Sequence, residues 1–229
     1  MKILGLIGGT SWVSTIDYYR LINHGVNEKL GDLNFAECII HSFNYADIKR
    51  NNDANDWGST LEMMTSAGQN LKNSGAKAIV LCANTMHKIA DQLEQNIQLP
   101  VIHIATATAN AIKDAGFKKV GLLGTKFTME QAFFRDKLTE RGIEIVIPDD
   151  AERDFIHYTI FEELGRSILK PETKSFYLNV MHKLKEQGTE GIIMGCTEIP
   201  LLISPDDIDM PLFDTTQIHS KAAVEFTLG

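Results

Sequence analysis

The run that sets the architecture reads Gly75-Ala76-Lys77-Ala78-Ile79-Val80-Leu81-Cys82-Ala83-Asn84-Thr85. Residues 76–81 of this run are apolar almost without a break, whereas a strand with one wet face alternates apolar and polar residues. Unbroken apolar strands are buried on both faces, which is typical of parallel sheets covered by helices. Similar runs recur along the chain with amphipathic stretches between them, so we predict an α/β fold.

These patterns predict eight strands and six helices. The predicted strands span residues 2–7, 36–43, 76–81, 100–104, 119–123, 143–147, 191–194 and 211–213. The predicted helices span residues 15–30, 61–73, 106–115, 129–141, 154–169 and 173–187.

The chain also contains a weak internal repeat. Residues 5–10 (Gly-Leu-Ile-Gly-Gly-Thr) recur at 121–126 (Gly-Leu-Leu-Gly-Thr-Lys), and residues 75–85 align with 188–198. The two pairs keep their order at nearly equal separations, which predicts two pseudo-symmetric lobes, each a mainly parallel sheet flanked by helices. Such sheets bind ligands at the carboxyl ends of their strands, so we expect the active site in the cleft between the lobes. We place the N-terminal lobe at residues 1–101 plus 210–229 and the C-terminal lobe at 102–209.

Composition and charge exclude several classes of protein. The 229 residues are 44% hydrophobic and 23% charged, as in globular domains, and the formal charge of -8 comes without a Lys/Arg cluster, so we expect no nucleic-acid partner. No run of about 18 predominantly apolar residues is present, and the N-terminus has no signal-peptide core, so we expect no membrane partner and a cytoplasmic location. The spacing of Cys and His residues predicts neither a disulfide framework nor a metal site.

Cys196 is the first candidate for chemistry. It follows Gly195 at the end of an apolar strand and precedes Thr197 and Glu198, where we expect a helical turn to begin. Amide groups at a helix start lower the pKa of a nearby thiol, so we expect a reactive thiol here. The alternative is a small residue of the core.

Cys82 has a similar setting but a different register. The repeat aligns Ala83, not Cys82, with Cys196, and consecutive strand side chains point to opposite faces. A catalytic role and a core position therefore both remain open for Cys82. Cys38 lies inside a predicted strand, and we assign it to the core.

Polar residues at strand ends are candidates for binding a carboxylate or an ammonium group. They are Thr10, Ser11, Asn84, Thr85, Thr125 and Thr197. We predict Ser14 as a helix N-cap, and we predict structural roles for His87 and His219.

Five motifs together resemble the cofactor-independent aspartate/glutamate racemase family, over essentially the full length of the chain. They are Gly8-Gly9-Thr10-Ser11-Trp12 with Ser14-Thr15 and Tyr18-Tyr19, Cys82-Ala83-Asn84-Thr85-Met86-His87, Gly121-Leu122-Leu123-Gly124-Thr125, Gly195-Cys196-Thr197-Glu198, and Asp214-Thr215-Thr216 with His219.

The resemblance implies racemisation of an amino acid bound between two lobes, usually in a homodimer, without pyridoxal phosphate or metal. In this family one thiol on each face of Cα removes or returns the α-proton. The positions that match the family's carboxylate-binding residues are Asn84, Thr85, Thr125 and Thr197. Glu198 replaces the histidine of glutamate racemases, which favours the aspartate/glutamate branch.

One departure from the family pattern concerns the first thiol. The family's first catalytic cysteine stands directly before Asn-Thr, where this chain has Ala83. We therefore expect Cys196 to be catalytic, while Cys82 either reaches the substrate from one residue earlier or has no catalytic role. Arg50 and Arg166 roughly match the basic residues with which the family binds the distal carboxylate of an acidic substrate. The alternative, that both are ordinary surface arginines, remains equally open.

Racemisation of aspartate, glutamate or both is thus the leading interpretation. The alternatives are an isomerase or decarboxylase of a small dicarboxylic acid on the same fold, a thiol hydrolase that pairs Cys196 with a histidine such as His87, and a non-catalytic amino-acid-binding protein.

Overall fold

A computed structural model describes residues 1–229. The chain forms two compact units, Met1–His103 with His219–Gly229 and Ile104–Ile218. Each unit contains one sheet of four strands, and every strand pair in both sheets is parallel. The predicted α/β fold with two helix-flanked parallel sheets is confirmed.

The first unit has the strand order β2-β1-β3-β4. Its elements are β1 Leu4–Gly8, α1 Trp12–Leu30, β2 Cys38–Ser42, α2 Tyr45–Asp53, α3 Trp57–Asn73, β3 Ala78–Leu81, a 3₁₀ turn Thr85–Ile89, α4 Ala90–Ile97 and β4 Val101–Ile102.

The second unit has the order β6-β5-β7-β8. Its elements are α5 Ile104–Asp114, β5 Lys119–Gly124, α6 Lys126–Glu130, α7 Ala132–Thr139, β6 Glu144–Val146, α8 Asp150–Glu162, a 3₁₀ turn Leu164–Arg166, α9 Pro171–Glu186, β7 Ile192–Gly195, α10 Ile199–Leu202, a 3₁₀ turn Pro205–Asp207 and β8 Leu212–Asp214. The last helix, α11 Thr215–Leu228, begins in this unit, and its residues from His219 onward belong to the first.

The central strands are buried on both faces, as their sequence predicts. All residues of β1, β3 and β7 are buried. In the first unit, one side of the sheet packs on α3 and α4 through a cluster that includes Ile79 and Leu81, and the other side packs on α1 and α11 through Val80 and Cys82. The alternation of neighbouring side chains between two cores explains why these strands contain no polar positions.

A glycine turn joins β1 to α1. Gly9 has φ +81°, and a Cβ on this residue would clash with the Phe43 carbonyl oxygen. Only glycine adopts this conformation at so close an approach. The turn lets α1 start directly at the carboxyl edge of the sheet, with Ser11 as its N-cap. The predicted N-cap, Ser14, is wrong: it lies inside the helix.

All eight predicted strands are found, but the boundary between the units is not where we expected it. Residues 210–218, predicted for the N-terminal lobe, belong to the second unit because β8 pairs with β7. The helix predicted at 129–141 is two helices, since Gln131 has extended backbone angles (φ -85°, ψ 151°). Helices α2, α4 and α11 were not predicted. None of the helices has the length and apolar character needed to cross a bilayer.

Candidate functional site

Polar segments follow the carboxyl ends of neighbouring strands in the first unit. Gly8 is level with Ser42, and Ile7 with Leu81, so the strands β1, β2 and β3 end at one edge. The segment 9–11 and the segment 82–85 therefore leave the sheet side by side. Ser14 connects them, because its Oγ donates to the Cys82 carbonyl oxygen at 2.7 Å.

The second unit repeats this arrangement. Gly124 is level with Gly195, and Met194 with Asp214, so Thr125, Cys196 and Thr215 each follow a strand at the same edge. Thr215 Oγ1 donates to the Met194 carbonyl oxygen at 2.9 Å. In both units a hydroxyl in the first turn of a helix donates to a carbonyl at the end of a strand, but Ser14 follows β1 whereas Thr215 follows β8, so the two contacts come from different positions of the repeat.

Cys196 lies next to a carboxylate. Its Sγ donates to Glu198 Oε2 at 2.9 Å, and the Thr197 hydroxyl donates to the same oxygen at 2.6 Å. The thiol is only partly buried, as are Thr197 and Glu198. A thiol, a carboxylate and a hydroxyl at one strand end form an acid–base group that can exchange a proton internally.

The expected lowering of the Cys196 pKa is wrong. Burial raises the pKa of this thiol well above its ordinary value, and the charge of Glu198 and its hydrogen bond raise it further. The amides of Thr197 and Glu198 act in the expected direction but are outweighed. The thiol is therefore protonated at rest, and its conjugate thiolate is a strong base.

Cys82 lies in a different environment. Its side chain has no exposed surface and packs in the core between the sheet and helices α1 and α11, with Val80 and Val224 among its neighbours. The nearest polar partner is the Val80 carbonyl oxygen, at 3.9 Å. Burial raises the pKa of this thiol strongly. Ala83, by contrast, is only partly buried and packs with the opposite core.

The predicted binding residues of the first unit all lie at its strand ends. Asn84 is buried and is the N-cap of the 3₁₀ turn after β3, and Thr85, the first residue of that turn, is partly buried. Thr10 is partly buried, and its hydroxyl has no hydrogen-bond partner in the chain. Ser11 Oγ accepts from the Ser14 amide at 3.3 Å.

In the second unit the predicted threonines also have structural partners. Thr125 is the N-cap of α6, and its Oγ1 lies 3.3 Å from Thr128 Oγ1. Thr197 binds Glu198, as described above. Glu198, which stays a predicted substrate-binding residue, accepts hydrogen bonds from Cys196 and Thr197, and the short spacing in sequence was the only signal for this contact.

The two arginines lie on helical surfaces. Arg50 Nη2 is 3.2 Å from Asp47 Oδ1, and its side chain is 73% exposed. Arg166 Nη2 is 2.7 Å from Glu162 Oε2, and its side chain is 62% exposed. Exposed pairs of this kind contribute at most about 1 kcal/mol, so either guanidinium can exchange its partner for another carboxylate.

Sequence reasoning did not identify a cluster of three imidazoles in the first unit, in which His87 and His219 are buried and His103 is partly buried. The His87 ring centroid lies 5.0 Å from that of His103 and 5.1 Å from that of His219, and the Tyr18 hydroxyl is 2.8 Å from His219 Nδ1. Burial lowers the pKa of His87 to about 4, and the neighbouring backbone, that of Ala83 above all, opposes this effect without cancelling it. Burial and the proximity of His87 lower the pKa of His219 to about 3.

Comparison with known proteins extends these observations. A crystal structure from Yersinia pestis, described as a candidate Asp/Glu racemase, is 47% identical and superposes with a TM-score of 0.96 over 100% of both chains. An aspartate racemase homologue from Pyrococcus horikoshii is 35% identical with a TM-score of 0.88, also over 100% of both chains. RacX of Bacillus subtilis, a broad-specificity amino-acid racemase, is 22% identical over 241 residues, which cover 99% of each sequence.

Two parallel sheets with a thiol and a carboxylate at one strand end define an α/β protein equipped for acid–base chemistry. The sequence model of the Asp/Glu/hydantoin racemase family matches residues 7–223. The chain belongs to this family, and its membership supports amino-acid racemase activity and an enzyme of the isomerase type.

Proposed function

We propose that the protein racemises an acidic amino acid, aspartate or glutamate, by proton transfer at Cα without a cofactor. The observation that carries this proposal is the hydrogen bond from the Cys196 thiol to the Glu198 carboxylate. The similarity to the Yersinia and Pyrococcus structures supports an acidic substrate, because both are described in terms of aspartate or glutamate racemases.

The proposed proton transfer begins at the thiol. Cys196 Sγ gives its proton to Glu198 Oε2, and the resulting thiolate removes the α-proton of the substrate. The electron pair of the C–H bond stays on Cα and is delocalised into the carboxylate, where hydrogen-bond donors stabilise the developing charge. A hydroxyl or water on the opposite face then gives a proton to Cα, which yields the other enantiomer, and the proton held by Glu198 passes through solvent to the alkoxide or hydroxide left behind. In the reverse direction Cys196 is the acid.

Cys82 takes no part in this scheme, because its side chain is completely buried in a core. At the position where the family has its first thiol this chain has Ala83, whose side chain has no proton that it could transfer. We therefore propose a single-thiol enzyme in which the opposite face receives its proton from a hydroxyl or from water. Exchange should then be unequal for the two enantiomers of the substrate.

Substrate binding is proposed from the resemblance. Asn84, Thr85, Thr125 and Thr197 are proposed to bind the α-carboxylate, and Thr10 and Ser11 the ammonium group. Arg50 and Arg166 are proposed to bind the distal carboxylate, so Arg50→Ala or Arg166→Ala should raise KM for aspartate. An unchanged KM in both variants would remove these residues from the site.

From the resemblance alone we also propose a homodimer, which light scattering after size exclusion would test.

The decisive experiment follows the α-proton by NMR in deuterated water, with each enantiomer of aspartate and glutamate, in the presence of a chelator and without pyridoxal phosphate. We expect loss of the α-proton signal with the native enzyme, none with Cys196→Ala, and a native rate with the matched control Cys82→Ala. Equal loss of activity in both cysteine variants would contradict the single-thiol scheme. No exchange with any of the four substrates would contradict the proposed function and favour a binding protein.

A further inference from the structure

Two carbonyl groups at the end of β3 are held by buried side chains. The Cys82 carbonyl oxygen accepts from Ser14 Oγ at 2.7 Å, and the Ala83 carbonyl oxygen lies 3.0 Å from His87 Nδ1. Ser14 and His87 are both 1% exposed. The contact of Ser14 is buried and that of His87 is partly buried, so the two side chains help to determine how the chain leaves the strand.

The contacts of the imidazole determine which of its nitrogens carries the proton. A carbonyl oxygen only accepts, so the 3.0 Å contact with the Ala83 carbonyl requires the proton of neutral His87 on Nδ1. His219 has the opposite tautomer: its Nε2 lies 2.6 Å from the Ile102 carbonyl oxygen, while its Nδ1 accepts from Tyr18. Two neighbouring histidines thus donate from different ring positions to different strand ends.

Holding a carbonyl also fixes the amide on the other side of the same peptide. A trans peptide is planar, with its C=O and N–H pointing in opposite directions. The bond from His87 therefore fixes the plane of the peptide between Ala83 and Asn84, and the bond from Ser14 fixes the preceding peptide. The segment fixed in this way leads directly into Asn84 and Thr85.

We propose that His87 is a positioning residue for the reaction, which acts by donating from Nδ1 to the Ala83 carbonyl and so orients Asn84 and Thr85 towards the substrate carboxylate. The inference rests on the proposed function, which assigns carboxylate binding to those two residues. His87 itself does not touch the substrate.

Two substitutions of His87 by an amide residue test whether the position of the hydrogen-bond donor matters. Asn carries its NH₂ where His carries Nδ1, and Gln carries it where His carries Nε2. We expect His87→Asn to keep kcat for α-proton exchange within about threefold, and His87→Gln to lower kcat by roughly 10- to 100-fold with a smaller change in KM, because small displacements of positioning groups have effects of this size.

His219 provides the matched control, because it is equally buried and donates from the other nitrogen. Here we expect the reverse order in stability: His219→Gln should retain the bond to the Ile102 carbonyl and the melting temperature, whereas His219→Asn should lower the melting temperature. Neither should change kcat more than about threefold, since misplacement affects catalysis only where it reaches the reacting groups.

Equal kcat values in His87→Asn and His87→Gln would overturn the proposal. A measurement that does not depend on activity is the ¹⁵N NMR spectrum of the histidines: we expect the Nδ1–H tautomer for His87, and an Nε2–H tautomer would overturn the assignment even if the variants failed to fold. If the native protein shows no exchange at all, the proposed function has failed, and the tautomer alone then decides whether His87 holds this carbonyl.

Discussion

At Cys196, burial and a neighbouring carboxylate both raise the pKa of the thiol, and Glu198 accounts for the second of these effects. A carboxylate this close has two consequences that oppose each other. It disfavours the thiolate at rest, yet it is the acceptor that makes the thiolate available during the reaction. The two roles can be separated by a substitution that removes the charge and keeps the shape.

We predict that Glu198→Gln lowers the pKa of the Cys196 thiol and at the same time slows α-proton exchange. Loss of the charge removes a cause of the raised pKa, while loss of the proton acceptor removes general-base assistance worth roughly 10²- to 10⁴-fold. The pH dependence of iodoacetamide alkylation, in a Cys38→Ala background, measures the pKa. An unchanged exchange rate would show that Glu198 is not the proton acceptor.

Cys196 could be predicted as the candidate thiol from its place after a strand, but the direction of its pKa shift could not. The contact between the Glu198 carboxylate and Cys196 Sγ depends on side-chain rotamers, which the spacing of the two residues in sequence does not specify. Cys82 shows the converse: a one-residue offset in a weak repeat already indicated the opposite face, and the structure places its side chain in the core.

At the scale of single elements, the turn from β1 into α1 sets the position of everything at the carboxyl edge of the first sheet. Gly9 has a positive φ and also lies against the Phe43 backbone. Gly116, with φ +83°, has nothing within 4 Å of an added Cβ. A side chain added at either glycine would therefore strain the backbone, but only a side chain at Gly9 would also clash with a neighbour.

We predict that Gly9→Ala destabilises the protein markedly more than Gly116→Ala. An alanine at positive φ costs more than about 1 kcal/mol at either position, and at Gly9 the backbone must also move away from Phe43. Urea unfolding of the two variants measures the difference. Equal losses of unfolding free energy would mean that the contact with Phe43 relaxes without cost.

The strands were predictable because a short, unbroken apolar run between turn residues is typical of a strand buried on both faces, whereas several helices were not. Helix α2 has Ile48 as its single buried residue, so its sequence carries almost no periodic signal. Helix α4 spans only Ala90–Ile97 and directly follows a 3₁₀ turn. Short helices of this kind are stabilised by the packing of the whole domain rather than by their own sequence.

For the molecule as a whole, the buried imidazoles link stability to pH. An ordinary histidine has a pKa of about 6.5, which applies to the unfolded chain. Burial lowers the pKa of His87 to about 4 and that of His219 to about 3. Below about pH 6.5 the unfolded chain therefore binds protons that the folded chain does not, so acid favours unfolding.

We predict that the free energy of unfolding is constant between about pH 7 and 8 and falls between about pH 6.5 and 4, with a slope approaching 2.7 kcal/mol per pH unit for two such groups. Carboxyl groups with lowered pKa, such as Asp207 at about 2, contribute mainly below this window. Urea unfolding across the range measures the slope. His219→Gln should reduce it, and an unaltered slope would contradict the assignment to these histidines.

The pairing of the two chain ends has a consequence for synthesis on the ribosome. The Lys2 amide donates to the Thr227 carbonyl, and Thr227 Oγ1 donates to the Lys2 carbonyl. The second unit is one continuous segment, whereas the first requires residues 219–229 to cover its sheet. The half that emerges first from the exit tunnel must therefore wait, with one apolar face open, until the last helix has been translated, and chaperones that bind nascent chains should engage residues 1–103 longest.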